Sequence, residues 1–281
     1  MDLSLSRKIL SVVISAVAAV CTCVLMVSML LSATLGSQDF LEKQIMTDSL
    51  VAECNAQLDA KYAVLAEETG IPLKVFQAAQ NNYSTKTALL TSFRNLFGDE
   101  ASELYNQNTI DFFDGLITEY FDAASVKYER ANVENAAKEA ARIFSEVVGL
   151  HHMGDTKTRL NTAKANARSA AAASAVILAV CSALLIVLLF SNARKACVYL
   201  LAGIAGGSFG TLLGTLLSLL SRVYTKLDIA PAVYQNAFAD VLFTYFVYLA
   251  LIAAAISLIS YAALYIVYRN SSRKSERKLI F

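Results

Sequence analysis

The sequence predicts an all-α membrane protein: four transmembrane helices, with an extracytoplasmic helical bundle on a two-helix stalk between the first and second spans. Three observations predict it. No Asp, Glu, Lys or Arg occurs in Ile9–Ala33, Ser169–Asn192, Ala196–Ser221 or Val241–Tyr268. Each run exceeds the ~20 residues a helix needs to cross the hydrocarbon core. Composition agrees: 56% of residues are hydrophobic and 17% charged, with a mean hydropathy of +0.50, whereas soluble domains carry roughly 25% charge. The segment between the first two runs has helical periodicity and one proline, Pro72.

Residues 1–8 form a cytoplasmic N-terminus bearing Arg7 and Lys8, and residues 9–35 the first transmembrane helix. A signal-peptide core is about 7–15 residues long, so this longer run reads as a retained anchor. The second, third and fourth spans are residues 169–192, 196–221 and 241–268. A cytoplasmic turn, 193–195, an extracytoplasmic loop, 222–240, and a basic cytoplasmic tail, 269–281, complete the chain. Lys and Arg concentrate at the N-terminus, at Arg194 and Lys195 and in the tail, which places both termini in the cytoplasm. The extracytoplasmic domain, 36–168, has 19 acidic and 13 basic residues, a net −6 hidden within an overall charge of +1. The tail is expected against anionic membrane lipids, and nothing in the charge pattern points to nucleic acid. Cys21, Cys23, Cys181 and Cys197 lie in or beside spans, and Cys54 stands alone in the domain. An outward domain without an internal disulfide fits a bacterial cell membrane.

Within the domain, the first helix is expected to continue straight out of the membrane, with Val51, Cys54, Leu58, Tyr62 and Leu65 as its apolar stripe. Gly70 and Pro72 in "TGIP" end it and start a short helix to Gln80. Further helices are expected over Ser84–Phe97, Glu100–Arg130 and Asn132–Leu150. Phe113, Leu116, Ile117, Tyr120, Phe121, Ala124 and Tyr128 face inward on the long one. Val133, Ala137, Ala140, Ile143, Phe144 and Val147 do so on the next. The last helix begins near Asp155 and runs unbroken into the second span, with Leu160, Ala163, Ala167, Ala171 and Ser174 as a small-residue seam.

The two histidines, His151 and His152, are adjacent in "VVGLHHMGDTKTRL". Adjacent positions point about 100° apart on a helix, so they do not chelate one ion from one face. A helix terminus accounts for them: histidines suit the negative dipole end, Gly154 stops the helix and Asp155 caps the next. The stretch "SEVVGLHHMGDTK" also resembles the segment around a functional histidine in the lipoprotein intramolecular transacylase family, which shares the four-span plan. That resemblance implies His152 as a reactive histidine with Asp155 and Lys157 beside it. The family uses a second histidine between the third and fourth spans, and the corresponding loop here has none. More broadly, the stalk, "LAEETGIPLKVF" and the spans resemble four-pass membrane proteins of Gram-positive-type bacteria that have no named function.

In the third span, Gly206, Gly210, Gly214 and Ser218 repeat every four residues, a helix-packing ridge widened by Gly203 and Gly207. It suits either another helix of this chain or a homodimer. No ionisable residue lies deep in a span, which disfavours a proton or ion pathway. Tyr265 and Tyr268 suit the inner interface, Asp240 begins the fourth span, and Pro231–Phe238 reads as a short surface helix. No P-loop, nucleophile elbow or dinucleotide fingerprint occurs, and no cofactor or metal is expected.

Three function classes follow. The first is a non-enzymatic sensing or protein-interaction protein using its helical ectodomain, with a protein partner through that domain or the glycine face. The second is an accessory or permease-like subunit of an export complex, although the connection between the second and third spans is too short for an ATPase-docking segment. The third is a membrane acyl-transfer enzyme using His152.

Overall fold

The computed structural model describes residues 5–80, 82–97, 104–149, 154–226 and 233–278. Every regular element among them is helical: α1 (Leu5–Ala33), α2 (Gln38–Ile45), α3 (Asp48–Thr69), α4 (Leu73–Gln77), α5 (Asn82–Phe97), α6 (Gln107–Ala123), α7 (Arg130–Val148), α8 (Gly154–Leu188), α9 (Ala193–Leu220) and α10 (Val233–Lys278), with short 3₁₀ turns between some of them. The chain divides into two compact units: residues 1–37, 161–226 and 242–281, and residues 38–160 and 227–241.

The first unit holds four helices long and apolar enough to cross a membrane: Leu5–Ala33, Asn161–Leu188, Ala193–Leu220 and Tyr234–Arg269, the last beginning in the other unit. Its outward faces are apolar, with Val187, Leu217, Leu258 and Ile259 largely exposed. Its buried polar side chains include Ser11, Thr22, Ser208, Thr211, Thr215, Ser257 and Ser260. That inside-out distribution suits a hydrocarbon solvent, in which helix association relies on close packing and interhelical hydrogen bonds. Ser15 Oγ donates to the Tyr199 carbonyl at 2.7 Å, joining α1 to α9. Ser257 and Ser208 share a hydrogen bond at 2.8 Å between α10 and α9. Tyr245 donates to the Val27 carbonyl at 3.3 Å, and with Met26, Leu249 and Ala253 forms the α1–α10 core. Ile14, Ala18, Cys181, Leu185, Leu189 and Ala196 close α1, α8 and α9.

The second unit is a bundle of short helices around an aromatic core. The expected stripe Val51, Cys54, Leu58, Tyr62 and Leu65 is buried on α3. Tyr62 stacks on Phe76 at 5.5 Å and meets Phe113 edge-on at 6.1 Å; Phe113 meets Phe144 at 6.1 Å. The expected inner face of α7 is buried along its length. Gly70 ends α3 at φ +70°, its N–H donating to the Ala66 carbonyl.

Four expectations are corrected. The first helix does not run straight on: α1 ends at Ala33, and a second break precedes α3 at Thr47, whose Oγ accepts from the Leu50 N–H at 3.3 Å. At Gly36 a Cβ would stand 2.9 Å from the Ser32 carbonyl and 3.1 Å from Lys164 Cγ, so glycine permits the turn beside α8. The helix expected over Glu100–Arg130 is shorter, ending at Ala123. There Ser125 takes φ +53°, its N–H bonds the Asp122 carbonyl and the Val126 N–H bonds the Phe121 carbonyl, a Schellman ending without glycine. The surface helix expected over Pro231–Phe238 is instead, from Val233 onward, the first part of α10. No glycine or proline occurs between Val233 and Lys278 to interrupt it. Lastly, Gly154 does not stop a helix but begins α8; α7 has already ended at Val148.

Candidate functional site

The sequence-predicted residues fall in two places. His151 and His152 lie outside the described residues. α7 ends at Val148, and Asp155 and Lys157 belong to the first turn of α8. Gly149 is extended, at φ −79° and ψ 142°, not left-handed.

The glycine rows of α9 are resolved by geometry. A Cβ on Gly207 would stand 2.2 Å from the Ala19 carbonyl oxygen, and one on Gly203 2.6 Å from that of Ser15. These two glycines, continued by buried Thr211 and Thr215, make the close approach to α1. On the ridge singled out from sequence, a Cβ at Gly206 would reach only Ala19 Cβ, at 4.0 Å, and those at Gly210 and Gly214 nothing within 4 Å. Ser218 turns its hydroxyl back onto the Gly214 carbonyl. Within the chain, the packing row is thus Gly203–Gly207–Thr211–Thr215, about 100° around the helix from the expected one.

Sequence reading missed a concavity in the second unit. A cleft of about 520 Å³ lies in the second unit, between the end of α3, the α6–α7 connection and the first turns of α7. That volume falls within the range of small-molecule sites, about 300–1,000 Å³. Its floor is apolar, from Leu65, Ile71, Val133 and Ala136. Phe121, from the last turn of α6, and Tyr128, from the connection, stacked at 5.2 Å, also line it. Glu68, Glu129, Glu139 and Lys127 supply its charges. Arg130 fixes the connection by bonding Asp114 at 2.6 Å and Thr118 at 3.1 Å on α6. Two sequence signals marked the place: Glu67 and Glu68 just before the Gly70 stop, and Phe121 and Tyr128 seven residues apart.

Two ionisable groups in this unit are structural. Burial, with Glu53 adding to it, pushes the Cys54 thiol up to about 12. Burial likewise holds the Tyr62 phenol protonated above its ordinary range; its hydroxyl donates to the Ala140 carbonyl at 3.3 Å. Both groups keep their protons in the folded state, while the unfolded chain releases them near pH 8.5 and 10. Stability therefore holds below about pH 8.5 and falls as pH rises toward the folded values, by about 1.4 kcal/mol per pH unit for each group titrating only when unfolded. Denaturant titrations at pH 8 and pH 10.5 should show this loss. With the other four cysteines replaced by serine or alanine, Cys54 should resist maleimide at neutral pH until the chain is unfolded.

Together these features define a helical protein with four helices able to cross a membrane and a separate helical unit containing a ligand-sized cleft. Comparison with protein-family models, curated proteins and solved structures gives no match.

Proposed function

We propose that this chain is a multi-pass membrane protein that senses or binds a component outside the cell through its helical unit, without catalysing a reaction. The placement of Lys and Arg supports both termini in the cytoplasm and residues 36–168 outside. The disulfide-free outward domain supports a bacterial cell membrane. The observation that carries the reading is the cleft: it is ligand-sized, has an apolar floor and a few polar groups at its walls, and lies in a unit with its own core. The permease alternative draws no comparable support, since only Leu189–Asn192 separates α8 from α9.

The test is to extract the full chain in mild detergent and identify stoichiometric bound components by mass spectrometry. Asn132, an exposed residue of the cleft wall, would be replaced by Trp to fill the space. A bound component should co-purify with the parent chain and be lost from Asn132→Trp at unchanged helical content. A component retained by the filled variant would overturn the cleft as its site. No component from well-folded material would overturn the binding reading and make His152→Ala the next variant.

A further inference from the structure

We infer that the cleft takes a small organic cation, an ammonium or guanidinium carried on an apolar stem; this rests on the binding reading above. Charge is the first argument. The lining holds three carboxylates against one ammonium. Glu139 is neutralised by Arg142, whose hydrogen bond holds its carboxyl below the ordinary range. Elsewhere in the unit Glu42, Asp48, Asp114, Glu134 and Glu146 pair with a lysine or arginine, while Asp39, Glu53, Asp59, Glu67, Asp111, Glu119 and Asp122 have no such pair among the described residues. Glu68 and Glu129 have no such partner among the described residues.

Position sharpens that imbalance. Glu68 stands in the last turn of α3, where the helix already presents its negative end. A carboxylate there is unfavourable for the helix and favourable for a bound cation. Glu129 occupies the N-cap position of α7 but makes no side-chain capping bond. Its carboxylate instead accepts from Asn132 Nδ2 at 3.3 Å, on the cleft wall. Glu129 thus screens the positive end of α7 from the cleft.

The aromatic pair is the second, independent argument. Phe121, in the last turn of α6, and Tyr128, in the α6–α7 connection, are both half-buried and stacked. Aromatic faces beside carboxylates recognise ammonium groups through the ring quadrupole, while Leu65, Ile71 and Val133 offer an apolar seat for the stem.

The test uses the full chain in a non-ionic detergent, with benzyltrimethylammonium as probe and benzyl alcohol and benzoate as neutral and anionic controls, followed by calorimetry and saturation-transfer NMR. The cation should bind at least tenfold more tightly than either control. Glu68→Gln with Glu129→Gln should weaken it at least tenfold at unchanged circular dichroism, and Lys127→Ala should tighten it. Equal binding of a control, no binding of the cation, or an unaffected double variant would overturn the assignment. If the cation fails while the co-purified component still depends on Asn132, the ligand class is wrong and the binding reading stands. If that dependence fails too, the binding reading falls with it.

Discussion

Gly207→Leu should prevent the four long apolar helices from assembling, whereas Gly210→Leu, three residues along the same helix, should leave them intact. At Gly207 even a single added carbon would lie 2.2 Å from the Ala19 carbonyl oxygen and 2.9 Å from Thr22 Cβ. Both neighbours belong to the body of α1, so neither can turn aside as the tip of a flexible side chain would. α1 and α9 would have to separate, loosening the bond from Ser15 to the Tyr199 carbonyl. Ordinary overpacking costs about 1–3 kcal/mol; Gly207→Ala should reach the top of that range and Gly207→Leu exceed it. A Cβ at Gly210 meets nothing within 4 Å, so its leucine variant should keep the parent stability. Thermal midpoints from size-exclusion chromatography of detergent-extracted protein would measure both. Equal loss in the two variants would place α9 in a different rotation.

The rotation of α9 also shows where sequence reasoning stops. Counting glycines favours the row with three of them. The row that meets α1 has two glycines and two threonines, and its threonines are effectively small. Thr211 Oγ donates to the Gly207 carbonyl at 2.9 Å and Thr215 Oγ to the Thr211 carbonyl at 2.7 Å, so neither hydroxyl projects into the contact. The four helices long and apolar enough to cross a membrane were legible because charge-free length is a one-dimensional property. The stripes of α3 and α7 were legible because their period survives the bundle intact. The end of α6 was not, because serine at φ +53° carries out a turn that glycine normally announces. The cleft was hidden for a related reason: its walls come from positions about sixty residues apart, Glu68 and Glu129, and only folding makes them neighbours.

Tyr234 should prove the residue on which the second unit most depends outside its own helices. It is wholly buried, and its hydroxyl donates to the Val148 carbonyl at 2.8 Å. Val148 is the last residue of α7, so that carbonyl is one of the four left without a helical donor. Removing the hydroxyl with Tyr234→Phe leaves it buried and unpaired, at a cost of about 1–3 kcal/mol. Tyr234→Ala adds the loss of a packed ring and should cost about 3–5 kcal/mol. Cys54, within electrostatic range of Tyr234, reports the damage locally. Its maleimide reaction should accelerate in Tyr234→Ala and stay slow in Tyr234→Phe. Labelling of Cys54 at the parent rate in Tyr234→Ala would show that the ring is dispensable to the packing of the second unit.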